Sequence, residues 1–441
     1  MRVAKLSGSL RQTCVRLRLR TVASVSTSPH CPGPTSVYVH LPFCKRKCFY
    51  CDFPVEAVGA RNTSAAQQRI TDYVQTLRHE IAAMPVLNSM PLQTIFFGGG
   101  TPSLVPPEQL ALILADLRTK FGLAPGAEVS MELDPGTFDL AKLQAYKALG
   151  LTRVSVGVQS FQQEQLEACG RAHDLADVFA GITAIQSSGI PSWSLDIMSG
   201  LPNLSLQAWQ QTLDTAVAAQ PSHISVYDLQ VEPGTPFARK YQPGAAPLPT
   251  DTEAAAMFAG ATLTLRRAGY EHYEVSNYAL PGHRCRHNQV YWAGAPYYAF
   301  GLGAASYLEG RRFSRPAAMK AYMQWVQEQQ PGGPLPGAHS APESLEDRML
   351  DTVMLRLRTA DGLDLAEFAS HYGEQAAELL KRAVEPHVAS GRVLLLPDQS
   401  QDLSSDVPSK RIRLSDPLGF LVSNSIISDV FVRLSDMTQK L

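Results

Sequence analysis

The first acidic residue of this chain is Asp52, and the stretch before it is basic through Arg2, Lys5, Arg11, Arg16, Arg18 and Arg20. No run of about 18 consecutive apolar residues occurs, which excludes an obvious membrane-spanning helix. Cysteine is scarce and odd in number, 7 in 441 residues, which excludes a secreted disulfide scaffold and points to a reducing compartment. Formal net charge is -1 and no dense basic stripe is present, so nothing suggests a nucleic-acid surface. With 45% hydrophobic residues the chain is long enough to bury a large core in one large domain plus smaller ones.

The acid-free leader has the bias of a mitochondrial transit peptide. Leu6, Leu10, Cys14 and Leu17 fall on one helical stripe, followed by the hydroxyl-rich Thr21 to Ser28, although Arg2 and Arg20 blur the amphipathic separation. Residues 1–35 are therefore expected to be a transit peptide or disordered leader, cut before about Ser36, with the matrix as destination. A basic leader carrying no address is the alternative. Cys14 and Cys31 lie within it.

Three of the cysteines, Cys44, Cys48 and Cys51, stand close together just after the β-branched and aromatic run Ser36 to His40. A 4Fe-4S cube has four irons, and three thiolates leave one of them open to an outside ligand. A zinc site competes with this reading, with His40 as a fourth ligand, but structural zinc usually takes two separated ligand pairs and no second pair follows nearby. Coincidental buried thiols are a further alternative. Disulfides fail because three neighbouring cysteines cannot all pair. The Cys-x3-Cys-x2-Cys spacing, with Tyr50 before the last cysteine, resembles the radical S-adenosylmethionine superfamily. That resemblance implies S-adenosylmethionine chelating the open iron through its amino and carboxylate groups.

From Ser36 to about Val231, short apolar strands alternate with helical patterns. Strands are expected at 37–40, 94–97, 128–133, 153–156, 194–197 and 223–227, and helices at 73–84, 107–121, 140–149, 174–187 and 206–218. Such alternation implies parallel strands with crossover helices, in an α/β fold. Six units fit the partial (β/α)6 barrel that the resemblance implies, with ligands at the carboxyl ends of the strands.

Polar and glycine residues fall at those ends. The second strand runs into Gly98-Gly-Gly-Thr-Pro102, the third ends with Glu132, the fourth with Gln159, and Arg171 and Asp196 follow. Each alone is explained as a turn former, cap or surface charge. Together, in register with successive strands, they describe a polar ligand site.

The runs Val37 to Cys44, Gly98 to Pro102, Val156 to Phe161, Gly170 to His173 and Asp196 to Pro202 resemble the oxygen-independent coproporphyrinogen oxidase family and its heme chaperone branch. The resemblance covers nearly everything after Ser36. It implies that Cys44, Cys48 and Cys51 ligate the cluster, and that Tyr38, Tyr50, Gly99, Gly100, Thr101, Glu132, Gln159, Arg171 and Asp196 line the S-adenosylmethionine site. The oxidases carry a fourth cysteine two residues after the third; here Phe53 takes that position, as in the chaperone branch. The element His287-Asn-Gln-Val-Tyr-Trp292 resembles the heme-linked motif of that branch.

A neutral imidazole or a thiolate can ligate heme iron, and aromatic side chains can cover the macrocycle. His283, Cys285 and His287 sit among Tyr291, Trp292, Tyr297, Tyr298 and Phe300, which makes His287 the expected heme ligand and Cys285 its reserve. Core packing with satisfied imidazoles explains the same composition.

The Pro/Gly-rich stretch 329–337 marks a boundary. The expected organisation is a radical S-adenosylmethionine barrel over 36–240, a barrel extension carrying the heme element over 241–328, and a small helical or winged-helix-like domain over 338–441. In that last domain helices are expected at 344–358 and 363–390, a strand at 392–396, a polar loop at 398–409 and a final helix at 414–431. Docking or substrate covering suits this appendage better than nucleic-acid binding. The function expected is a mitochondrial heme chaperone that holds a 4Fe-4S cluster and S-adenosylmethionine and hands heme to an unidentified acceptor protein, with no catalytic residue assigned. Its rival is a radical enzyme that abstracts hydrogen from a tetrapyrrole side chain. Phe53 counts against the coproporphyrinogen reaction specifically and leaves other radical chemistry open.

Overall fold

A computed structural model describes residues 33–59, 63–338, 341–397 and 410–438. Residues 1–32 of the leader and the polar loop of 398–409 lie outside the described residues. The six expected strands form, as β1 (Ser36–Leu41), β2 (Leu92–Gly99), β3 (Leu123–Leu133), β4 (Arg153–Gln159), β5 (Ser192–Ser199) and β6 (His223–Asp228). All are parallel and adjacent in chain order. Beyond β6 the sheet continues through an antiparallel hairpin, β7 (Glu271–Glu274) and β8 (Asn277–Ala279), with β8 paired to β6. At the other edge a seventh parallel strand, β9 (Tyr298–Phe300), pairs with β1 through Val39 and Phe300.

Strand alternation sorts the side chains. Val37, Val39, Leu41, Ile95, Phe97, Val129, Met131, Val154, Val156, Leu195 and Ile197 all join one apolar core with the helices. The intervening residues, among them Ser130, Glu132, Arg153, Ser155, Ser194 and Asp196, belong to the opposite, polar face. The covering helices are α1 (Ser64–Ala83), α2 (Pro107–Phe121), α3 (Leu140–Ala148), α4 (Leu175–Ser188), α5 (Leu206–Ala218) and α6 (Asp251–Arg267). Helix α1 starts well before its expected first turn. Thr63 caps it by accepting from the Ala66 amide at 3.2 Å, and the opening turns are too polar to show periodicity.

A short strand such as β9 needs outside support. It comes from α1: the Glu80 carboxylate accepts from the Gly301 amide at 2.9 Å, the Tyr322 hydroxyl at 2.7 Å and the Arg315 guanidinium at 2.7 Å. All three side chains are buried, so the pair is compensated by hydrogen bonds rather than left as bare charge.

Helix α7 (Arg286–Trp292) links two bodies. His287 lies against the start of β2, while Trp292 belongs to a second core with Met349, Val353, Leu380, Ile412 and Ile427. That core is built by α8 (Leu345–Arg356), α9 (Leu365–Tyr372), α10 (Glu374–Ala389) and α11 (Ser423–Thr438), beside a three-stranded sheet of β10 (Leu363–Asp364), β11 (Val393–Pro397) and β12 (Lys410–Leu414). The expected helix at 363–390 is interrupted at Gly373, whose φ of 92° suits glycine, and is preceded by β10. The expected helix at 414–431 begins only after β12, whose alternation of Lys410, Arg411, Ile412, Arg413 and Leu414 carried a strand signal.

Candidate functional site

The cluster loop leaves the carboxyl end of β1 and is tied to the barrel at several points. The Phe49 amide donates to the Cys169 carbonyl at 3.0 Å, and the Phe237 amide donates to the Phe49 carbonyl at 3.1 Å. Thr101, past the end of β2, points its hydroxyl at the Cys44 sulfur at 3.7 Å. The Arg171 guanidinium donates to the Cys48 sulfur at 3.4 Å and to the Tyr50 hydroxyl at 3.0 Å. Burial pushes the Cys44 thiol up to about 12, opposed by the Thr101 hydrogen bond, with repulsion from Cys51 and Cys48 adding to the rise. Burial likewise raises Cys51.

His40 does not serve a metal here. It is fully buried, its Nε2 lies 2.9 Å from the Pro54 carbonyl, and its Nδ1 lies 3.1 Å from the Tyr38 hydroxyl. A carbonyl only accepts, so Nε2 carries the proton and Nδ1 accepts from Tyr38. Burial holds this imidazole neutral, its pKa lowered to about 4. Among the described residues no three His, Cys, Asp or Glu side chains converge on a single ion.

The glycine turn has an internal reason. A Cβ on Gly99 would stand 2.5 Å from the His40 ring, and one on Gly100 would stand 2.6 Å from the Pro42 carbonyl carbon. These glycines let the end of β2 press against the base of the cluster loop. The Gly99 amide then donates to Glu132 at 2.9 Å, and Thr101 donates its amide to the Phe43 carbonyl at 2.7 Å. Burial raises the Glu132 carboxyl to about 7, with the Gly99 bond opposing and nearby Asp196 adding to the rise. Asp196 accepts from Ser155 at 2.8 Å and from Ser194 at 3.1 Å. Burial raises it as well, against those hydroxyl bonds.

Gln159 is held at φ 70°, outside the usual range for its type, and its buried Oε1 has no partner. The Arg171 Nε is buried without a partner too. Orphaned polar atoms at the strand ends are what a polar ligand satisfies, so the donor set fits S-adenosylmethionine beside a cluster. Sequence reading missed Asp134 and His173. Asp134 is bonded to Arg171, and His173 Nδ1 stands 3.3 Å from the same carboxylate, near enough for attraction although misaligned as a hydrogen bond. The signal for Asp134 was its position, two residues past Glu132 at the same strand end.

His287 is elsewhere. Its Nδ1 lies 2.7 Å from the Thr94 hydroxyl, its Nε2 lies 2.9 Å from the Tyr291 hydroxyl, and its amide donates to Glu128 at 3.1 Å. Thr94 lies near the start of β2 and Gly99 ends it, so the two regions are separated by roughly 16 Å of strand. The ring is fully buried, stacks on Phe96 with 5.2 Å between centroids, and is kept neutral by burial, its pKa lowered to about 3. Cys285 is also buried, its thiol pushed up to about 12 chiefly by burial and then by Glu128. Tyr38 joins the two regions, packing with Tyr297, Ala299 and Tyr307.

Comparison with known proteins agrees with this geometry. The radical SAM superfamily matches residues 38–216, and the HemN C-terminal domain matches residues 344–396. The heme chaperone HemW of Synechocystis is 41% identical over 412 residues, covering 91% of this chain and 98% of that protein. HemW of Escherichia coli is 31% identical, covering 81% and 91%. The bovine radical S-adenosyl methionine domain-containing protein 1, mitochondrial, is 32% identical over 65% of this chain and 64% of its own length. In fold, the chain superposes on coproporphyrinogen III oxidase (HemN) from Escherichia coli with a TM-score of 0.73 at 23% identity, covering 92% and 91%. From the cysteine loop, the parallel half-barrel and the extent of these matches, the chain belongs to the HemN-like radical SAM heme chaperone family.

Proposed function

We propose that this protein binds heme and passes it to acceptor proteins in mitochondria, on a scaffold that holds a 4Fe-4S cluster and S-adenosylmethionine. The observation that carries the reading is the 41% identity to a heme chaperone along 98% of that chaperone's length. Phe53, where the oxidases carry a cysteine, supports it. The acid-free leader and the bovine relative's mitochondrial name support the location, with the matrix as the compartment.

Cys44, Cys48 and Cys51 hold the cluster, and the residues from Tyr38 and Tyr50 through Gly99, Gly100, Thr101, Glu132, Gln159, Arg171 and Asp196 surround S-adenosylmethionine. When bound, the pair supplies one-electron chemistry. In a chaperone the same groups act as ligands that favour one state of the chain and so bias heme release.

Heme is the cargo, with His287 as its ligand. The closed arrangement around that ring sets two conditions: the Tyr291 side chain on the same helix must swing away from Nε2, and α7 must shift to bring the fully buried imidazole out to heme. Helix α7 is also held by Trp292 in the second core, so uptake is coupled to how the C-terminal body sits.

Anaerobic purification followed by iron, sulfide and heme analysis tests the scaffold, and Cys44→Ser is expected to abolish cluster iron. Heme titration should give a Soret shift that weakens in His287→Ala. Tyr291→Phe, which frees Nε2, should speed uptake. Unchanged heme binding in both His287→Ala and Cys285→Ala sinks the ligand assignment. Accumulation of 5'-deoxyadenosine with decarboxylated product from coproporphyrinogen would favour the rival enzyme.

A further inference from the structure

Helix α7 hangs from the barrel by its first amides. The Cys285 amide donates to the Tyr273 hydroxyl at 3.3 Å, and the Arg286 and His287 amides donate to the Glu128 carboxylate at 3.3 and 3.1 Å. Of these two anchors, Tyr273 leads further into the sheet. Its hydroxyl lies 2.9 Å from Nε2 of His223, the Nδ1 of His223 lies 2.7 Å from the Ser194 hydroxyl, and that hydroxyl lies 3.1 Å from Asp196. Tyr273 belongs to β7, His223 to β6, and Ser194 and Asp196 to β5. Ser194, His223, Tyr273 and Cys285 are all buried. One series of bonds therefore connects the helix that carries His287 to the strand-end carboxylate of Asp196.

The donors in this series all point the same way. An ionised Asp196 only accepts, so Ser194 gives it its single hydrogen and accepts from Nδ1 of His223. Burial, with Arg153 and His283 adding to it, keeps the His223 imidazole neutral, its pKa well below the ordinary 6.5. Nε2 is then bare and accepts from Tyr273, whose oxygen accepts from the Cys285 amide. Ser155 donates to the same Asp196 carboxylate at 2.8 Å, and the Ser225 hydroxyl stands 3.4 Å from that of Ser194. Bonds in such a series polarise one another, so a change at the acceptor end is felt along it. Tyr273 is itself fixed, since its carbonyl accepts from the Ala360 amide at 2.9 Å. Helix α7 has more room, beside a cleft of about 140 Å³ lined by Tyr273, Gln289, Trp292, Arg356, Thr359 and Asp361.

We infer that Ser194, His223 and Tyr273 are positioning residues for α7, forming a one-way hydrogen-bond relay through which a donor arriving at Asp196 loosens the Cys285 end of the heme element. The inference rests on the reading above that places S-adenosylmethionine at Asp196 and heme at α7. A hydroxyl of S-adenosylmethionine donating to Asp196 competes with Ser194 for that carboxylate, and each bond behind Ser194 weakens in turn. No proton leaves its residue.

The test is hydrogen exchange over residues 285–292 in the reconstituted, heme-free full chain, with and without saturating S-adenosylmethionine. In wild type the ligand is expected to speed exchange about two- to tenfold, the range for one neutral hydrogen bond. Ser194→Ala leaves Tyr273, Cys285 and Glu128 in place, yet is expected to abolish the ligand's effect; a merely structural serine would leave that effect intact. Tyr273→Phe, which removes the bond to Cys285, is expected to abolish it too. Glu128→Gln weakens the other anchor without touching the relay, so exchange should be faster in both states and the ligand's effect retained. A wild-type chain that binds S-adenosylmethionine with unchanged exchange overturns the inference, as does a ligand effect of wild-type size in either relay variant that binds the ligand. If Ser194→Ala binds none, Tyr273→Phe decides, its altered atom lying farther from Asp196 along the relay. A wild-type chain that binds no S-adenosylmethionine overturns the proposed scaffold itself, an outcome recognisable before any variant is compared.

Discussion

Single residues divide here by whether their local chemistry or their neighbours set their role. The cysteine spacing announces itself in the sequence because thiolates on one short loop have few other uses. The glycines of 98–100 were legible as a special turn, but their reason was not. Sequence reading placed them at a ligand's approach, and in the fold Gly99 and Gly100 also admit atoms of His40, Pro42 and Phe43. Gly100→Ala is therefore expected to destabilise the protein by about 1–3 kcal/mol even without ligands, because the backbone it meets cannot rotate away as a side chain can. Thermal unfolding of the ligand-free chain measures this, and an unchanged midpoint would show that the close backbone approach at Gly100 does not matter to the fold. Asp134 and His173 were missed for the converse reason, since a carboxylate in a Leu-Asp-Pro turn reads as a turn former until Arg171 arrives from a distant segment.

Among the elements, α7 concentrates the uncertainty that sequence left. Its aromatic and histidine content suited either a heme site or packed core, and the structure shows the packed state, with His287 bonded on both sides and Trp292 only 6% exposed. Trp292→Ala should cost about 3–5 kcal/mol in the C-terminal body and loosen α7. Hydrogen exchange on residues 286–292 checks it, as does heme uptake, which should become faster in this variant. If uptake is unaltered while exchange rises, α7 motion does not limit loading. Strand β9 was not expected, because three residues give no period, and it is fixed against β1 by the Glu80 network and by the Ser306 hydroxyl, which accepts from the Ala299 amide at 2.9 Å. The paired strands of the half-barrel were expected because their apolar runs are long and buried by helices.

For the whole molecule, the two bodies meet along the β7 edge. The Val275 amide donates to the Arg358 carbonyl at 3.0 Å, the Ala360 amide donates to the Tyr273 carbonyl at 2.9 Å, and His272 contacts Asp416 at 2.9 Å. Glu274 sits in this seam, 1% exposed, and burial lifts its carboxyl from 4.5 to about 7 against the Ser276 and Asn277 bonds. The folded state then keeps a proton that the unfolded chain releases, so stability falls as pH rises from about 4.5 to about 7. For this group alone the loss is roughly 3 kcal/mol. Relative to Glu274→Gln, wild type should lose stability as pH rises from about 5 to about 8, read as the difference between the two unfolding midpoints. Glu132, with the same sign as Glu274, and the buried neutral His40 and His287, with the opposite sign, act in both proteins and cancel in that difference. Equal slopes in the two proteins would show that Glu274 ionises freely in the fold.

The sequence by itself determined the cluster loop, the six parallel strands and the strand-end polar residues, because these rest on spacing and period within short windows. Tertiary structure alone decided that Arg171 turns toward Cys48, that the glycines face their own chain, and that His287 is shut beneath the barrel with Trp292 in another core. Those outcomes depend on which distant atoms arrive beside a residue, and burial and hydrogen-bond geometry are fixed only when the sheet and its two bodies are assembled.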